Sequence, residues 1–327
     1  MLTRTISLIS IFILLCSCAH RPAIFSPRIK KAVSKSVLTS KPVRAKQVKK
    51  VSGFNSVDVE GVIDVSLHSG YSKPQVILYG DPRDLKQVQV FVTNQRLYVK
   101  VGKGYPDCGR ITAVIHGHRL YAFKYKGVGV VKGTKLNSSS LALDIDNDGS
   151  TILKGHLALT SLNISGKGST QIHGISNRGL RINMKGKPRV QLTGQTSLTS
   201  LNLTGSGWLS LYWVNSPFLR VCAYGSAKAQ LAGIVDELHV ELWDSAKFKG
   251  RYLRANRTFV KTHQRSIAEI STLKKQHSLA SDASDIYYYN IPTMQTNFMA
   301  FNGAVLDMRE WPQHDLEEYD RYNKHIP

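Results

Sequence analysis

An apolar anchor returns every 18–23 residues from position 120 onward: Leu120, Leu143, Leu162, Leu180, Leu201, Leu219, Leu238, Phe259, Leu279 and Phe298. A second anchor trails it at the same step, through Gly133, Gly155, Gly174, Gly194, Trp213, Gly233 and Gly250. Two anchors holding one step over many turns imply a solenoid, in which each repeat buries its apolar face against its neighbours. Within a repeat the pattern is that of strands. In Leu162-Asn-Ile-Ser-Gly-Lys-Gly-Ser-Thr-Gln-Ile-His-Gly174 apolar and polar residues alternate, a Gly-rich corner intervenes, and alternation resumes. Leu201 to Trp213 and Leu219 to Gly233 read the same way. Helical repeats would place apolar residues three and four apart, and leucine-rich repeats need a longer Leu/Asn consensus.

The expected fold is therefore all-β: a parallel β-helix of about ten coils of 18–23 residues. Coils stacked at about 4.8 Å would make a rod of roughly 48 Å. Leu162/Ile164, Leu201/Leu203, Leu219/Val221 and Leu238/Val240 are the expected inward pairs. The repeat fades after about Lys275, and 310–327 reads as a C-terminal cap or tail, with a helix around 315–322.

A β-rich section, 52–119, precedes the repeats at 120–309. It opens with Phe54-Asn-Ser-Val-Asp-Val-Glu-Gly61 and continues through Gln75-Val-Ile-Leu-Tyr-Gly-Asp81, Val88 to Val92 and Arg96-Leu-Tyr-Val-Lys-Val101. With the Leu-x-Ile-x-Gly-x-Gly units at Leu162–Gly174 and Leu201–Leu211, this stretch resembles the putative auto-transporter adhesin, head GIN domain family of bacterial envelope proteins. The resemblance covers roughly residues 52–310. It implies a β-helical fold on an exported protein and supplies no catalytic motif. Lys187-Pro188, Asp244-Ser245 and Gln264-Arg265 depart from it by replacing the Gly-rich corner.

The first residues give an address. Arg4 precedes an apolar run from Ile6 to Leu15, too short to span a membrane, followed by Leu15-Cys16-Ser17-Cys18. This reads as a lipoprotein signal at 1–17, with Cys18 lipidated as the first mature residue; an ordinary signal cut after Ala19 is the alternative. Ala19, in place of Asp, resembles the pattern of lipoproteins sent to the outer membrane of Gram-negative bacteria, facing the periplasm or the cell surface. Residues 18–51 read as a basic tether without a sustained apolar period. Of the 44 Lys and Arg, 11 fall within residues 1–57, which contain no Asp or Glu. Such a segment is attracted to anionic headgroups or envelope glycans, or is simply kept extended by its charge. Nucleic acid would suit the charge, but the address is wrong and no recognition module is visible.

The candidate sites are modest. Asp144, Asp146 and Asp148 lie in Asp-Ile-Asp-Asn-Asp-Gly149, half of a calcium loop. Position twelve of that loop would be Gly155, where a bidentate Glu is needed. A surface cation site and a set of solvated acids at a glycine corner are both open. Trp208, Tyr212, Trp213, Tyr224 and Trp243 cluster in three successive repeats, with Lys228, Lys247 and Lys249 near in sequence. Tyr224 and Trp243 share a repeat position, five after the anchor leucine. They are candidates for binding acidic glycans, or for stacking that stabilises the exterior. Cys108 and Cys222 can pair in an oxidising compartment. No nucleophile–base motif and no cofactor signature appears. The leading expectation is a non-enzymatic, lipid-anchored envelope protein for adhesion or scaffolding, binding anionic glycans or envelope proteins. A polysaccharide-processing enzyme and a purely structural lipoprotein are the rivals.

Overall fold

The computed structural model describes residues 44–289 and 294–310. The residues read as a signal peptide, Cys18, most of those read as a tether and those read as a tail beyond Glu310 lie outside this range. The alternating sequence is strand: β1 (Ala45–Lys50), β2 (Ser56–Gly61), β3 (Asp64–His68) and β4 (Gln75–Gly80), then the single-turn helix α1 (Pro82–Leu85), β5 (Val88–Thr93), β6 (Arg96–Val101) and β7 (Thr112–His116). The coils follow as β8 (Ala122–Gly127), β9 (Val130–Asn147), β10 (Ser150–Ser165), β11 (Ser169–Gly186), β12 (Arg189–Gly205), β13 (Trp208–Gly225), β14 (Lys228–Leu242), β15 (Lys247–Thr262) and β16 (Ile267–Ala280). β17 (Asp285–Tyr289), β18 (Gln295–Ala300) and β19 (Val305–Arg309) complete the stack.

Each long strand leaves the second face of one coil, bends along a third side and ends on the first face of the next. From β8 to β19 every pairing is parallel. The solenoid makes about nine turns after its N-terminal β section. That section also supplies the first rung: β2 pairs in parallel with β8, and β3 with β9. The chain then leaves the coil and returns to cover its end. β6 lies parallel on β2 and β7 on β3, and β5, β4 and β1 continue outward in antiparallel register. Ala45–Lys50, read as tether, are therefore part of the fold. Lys46, Val48 and Lys50 point outward from β1, while its backbone pairs with the edge of β4.

The inward column of the first face runs Leu143, Leu162, Ile182, Leu201, Val221, Val240, Val260, Ser278 and Phe298. Leu180, Leu219 and Leu238 are also fully buried, but two residues earlier than this column. Phe259 and Leu279 face outward, which corrects their reading as core anchors. The reason is compositional. In the last coils inward positions pass to hydroxyls and an amide: Thr258, Thr262, Thr272, Gln276 and Ser278 are buried. They pair among themselves, Thr272 Oγ1 donating to Thr258 Oγ1 at 2.8 Å and Gln276 Nε2 to Ser278 Oγ at 2.9 Å. Trp213 occupies the glycine position of the second corner, with a left-handed φ of 61°.

Candidate functional site

The first and second faces meet at the corner that contains Gly225 to Ala227. Outward residues at the end of the first face form a column, Thr204, Tyr224, Trp243 and His263. The Tyr224 and Trp243 rings are 6.3 Å apart and 8° from parallel, and Trp243 and His263 are 3.9 Å apart at 17°. Both faces of the Trp243 indole are thus turned to neighbouring rings, and its Nε1 donates to Glu241 Oε1 at 3.3 Å. A sugar stacks on an open ring face, and the His263 ring already lies against one face of this indole. Such pairs contribute about 0.5–1.5 kcal/mol each to holding coils together. A second column runs through His239, Phe259 and His277, with centroids 4.7 and 5.0 Å apart.

Across the corner, the second face carries Arg189, Trp208, Lys228 and Lys247 at one register position on four successive coils. Lys249 stands two residues beyond Lys247, opposite Gln230. Arg189, Lys228 and Lys249 are exposed; Trp208 and Lys247 are half-buried. None of these cations is in an ion pair among the described residues. The strip spans three coil steps, roughly 14 Å. The six candidate residues therefore divide. Trp208, Lys247 and Lys249 share the second face, with Tyr212 farther along β13 toward the second corner. Tyr224 and Trp243 belong to the first face. Arg189 escapes a sequence reading because it lies beside no aromatic residue in the chain; only the register brings it to Trp208.

The sequence matches the family model described as "Putative auto-transporter adhesin, head GIN domain" over residues 53–200 and again over 176–292. The chain belongs to this family. Among solved structures, a putative adhesin from Parabacteroides merdae is similar at 16% identity and a TM-score of 0.49, covering 81% of this chain and 96% of that one. A putative adhesin from Parabacteroides distasonis is similar at 15% identity and a TM-score of 0.41, covering 81% and 97%. No curated protein matches the chain.

Of the remaining candidates in this GIN domain, Asp144 and Asp148 make contacts between neighbouring coils. Asp144 and Asp146 point outward from one strand, roughly 7 Å apart along it. Lys124 Nζ lies 3.7 Å from Asp144 Oδ2, and Asp148 Oδ1 accepts the Lys167 backbone N–H at 2.8 Å. Among the described residues no group of three His, Cys, Asp or Glu is gathered to hold a metal. The buried polar residue of that string is Asn147. Its Nδ2 donates to Gly129 O at 3.1 Å and to Thr151 Oγ1 at 3.2 Å, while its Oδ1 accepts from Gly149 N at 2.8 Å. Asp-Asn-Asp-Gly is thus a corner latch. Cys108 and Cys222 are free thiols and form no disulfide. Cys108 lies in the N-terminal cover, its N–H donating to Asp84 Oδ2 at 2.9 Å, whereas Cys222 stands on the first face opposite Asn202 and Glu241. Burial, aided by Glu241, pushes the Cys222 thiol pKa up.

Proposed function

We propose that this protein is a non-enzymatic, lipid-anchored envelope protein that adheres to polyanionic glycan surfaces through the second face of its solenoid. The observation that carries this reading is the strip of Arg189, Lys228, Lys247 and Lys249 around Trp208, in which no cation is in an ion pair among the described residues. Aligned cations attract a polyanion, and an indole among them adds an apolar surface with a donor at its edge. Family membership supports adhesion. The leader supports anchoring at Cys18 in the outer membrane, and the absence of a nucleophile–base motif in the sequence supports a non-enzymatic role.

The test is retention on an immobilised acidic polysaccharide, comparing wild type with K228Q/K247Q/K249Q. Each exposed charge contributes about 0.2–1 kcal/mol, so the triple variant should bind about threefold to a hundredfold more weakly, with a shallower salt dependence. Equal retention would remove the second face from the function. Replacing Cys18 by Ala should abolish fatty-acid labelling and release the protein from the membrane fraction. Membrane association that persists in high salt would rule out the anchor.

A further inference from the structure

On the third side of the solenoid, five successive coils line an open groove of about 810 Å³. Ser139 stands on the first of these coils, Thr160 on the second, Ser176 and Arg178 on the third, Gln195 on the fourth and Asn215 on the fifth. The groove has a local cause. Between Asn177 and Leu180, β11 takes three steps where β12 takes two from Thr196 to Leu198, and β12 recovers the residue before Ser200. This bulge lifts Arg178 and Gly179 into solvent as a wall. Asn177 fastens the wall to both neighbouring coils: its Nδ2 donates to Leu159 O at 2.7 Å, and its Oδ1 accepts from Thr196 Oγ1 at 2.7 Å and Ser197 N at 3.2 Å. The groove is therefore braced before any ligand arrives.

Its chemistry is narrow. The side chains of Ser176, Gln195 and Asn215 and the Arg178 guanidinium make no hydrogen bond or ion pair among the described residues. The lining contains no acid and no second cation. A strand of phosphates would call for a row of cations, whereas one guanidinium among hydroxyls and amides fits a hydroxyl-rich chain with sparse carboxylates. Guanidinium binds carboxylate through two parallel hydrogen bonds. The step between coils, about 4.8 Å, is close to the rise of one sugar ring in an extended chain. A glycan lying along the axis would meet a fresh polar side chain at each ring.

We propose that this groove binds a short oligosaccharide containing uronic acid, with Arg178 pairing one carboxylate and the Ser, Gln and Asn side chains of adjacent coils meeting ring hydroxyls. The site is on a different side from the Trp208 strip and does not depend on it.

The experiment titrates trigalacturonate into the full-length protein at physiological salt, by calorimetry and by NMR shifts, with uncharged trigalactose as the control. Wild type should bind trigalacturonate saturably and trigalactose more weakly. R178Q should lose about tenfold or more of the trigalacturonate affinity, and R178K should recover part of it. Q195A should also weaken binding, and K247Q should leave it within about twofold. An unchanged melting temperature in R178Q shows that the fold is intact. Failure of wild type to saturate, or equal affinity in R178Q, overturns the proposal. A loss in K247Q as large as in R178Q would move the ligand to the second face, overturning this groove while leaving the strip standing. Unaltered retention of long polyanions by the triple-lysine variant would do the reverse.

Discussion

Asp244 accepts a 2.9 Å hydrogen bond at Oδ2 from the backbone N–H of Gly225, the residue at the same corner one coil earlier. Both are left-handed, with φ of 61° and 81°. The strut repeats: Gln264 Oε1 accepts from Asp244 N at 2.5 Å, and Asp282 Oδ2 from Gln264 N at 3.2 Å. Earlier coils solve the same corner with glycine. A Cβ on Gly205 would lie 2.4 Å from Gly186 O, and one on Gly225 2.6 Å from Gly205 O. The sequence departure at Asp244-Ser245 and Gln264-Arg265 is thus a change from close backbone approach to side-chain bridging.

Gly205→Ala should destabilise the protein by about 1–3 kcal/mol, since it adds both a clash and a left-handed alanine. Asp244→Ala, at an exposed corner, should cost about 1 kcal/mol. Urea unfolding measures both. A Gly205→Ala protein as stable as wild type would refute the close approach.

Leu201→Ala and Leu219→Ala should each cost about 2–5 kcal/mol, because both leucines are fully buried. Leu279→Ala, on an outward position, should cost less than about 1 kcal/mol. Similar losses at Leu279 and Leu219 would show that the last coils are registered differently.

How much of this was legible follows from what the repeat encodes. Alternation and step suffice for strands, coils and the Tyr224–Trp243 column, because those depend only on period. Trp213 could be aligned with glycines from its spacing alone, and it takes the glycine conformation. The inward register of the last coils was not legible, since Thr258, Thr262 and Ser278 carry no hydrophobic signal and outward Phe259 and Leu279 carry a false one. β1 was hidden for a similar reason: Val48 is its central apolar residue, it is exposed, and what orders the strand is the edge of β4. Spacing could not say that Trp208 and Trp243 look out of different faces, because a corner separates them. The groove at Arg178 rests on a local shift of register that cancels by Arg181, so the repeat length does not show it.

Trp243→Ala should lower the melting temperature while leaving polysaccharide binding per folded molecule unchanged, because its ring is already engaged between Tyr224 and His263. Trp208→Ala should do the opposite. Thermal melts paired with binding to an immobilised acidic polysaccharide separate the two. Loss of binding in Trp243→Ala at full stability would return the glycan platform to the first face.

His116 provides a pH dependence. Its ring stacks on Tyr71 at 4.1 Å, approaches His68 at 5.3 Å and lies 2.9 Å, through Nδ1, from the Gln75 amide. Burial first, and the charge of His68 second, hold its pKa below the ordinary histidine value. The unfolded chain therefore takes up this proton at higher pH than the native state does. Its contribution is complete above about pH 6.5 and declines as pH falls from there toward the lower native value. Urea midpoints should drop over that interval, and less so in His116→Gln. An identical pH profile in the variant would assign the effect elsewhere.

The antiparallel cover built from β4 to β7 has a consequence for how such a molecule can vary. It meets only the first rung, so the turns from β9 to β16 carry no commitment to it. A whole repeat can be gained or lost among them without disturbing the cover, and each one moves everything beyond it by about 4.8 Å. Reach is then an adjustable quantity, counted in turns: a protein of this design can be lengthened to cross a gap of given width while presenting the same lateral chemistry on the way.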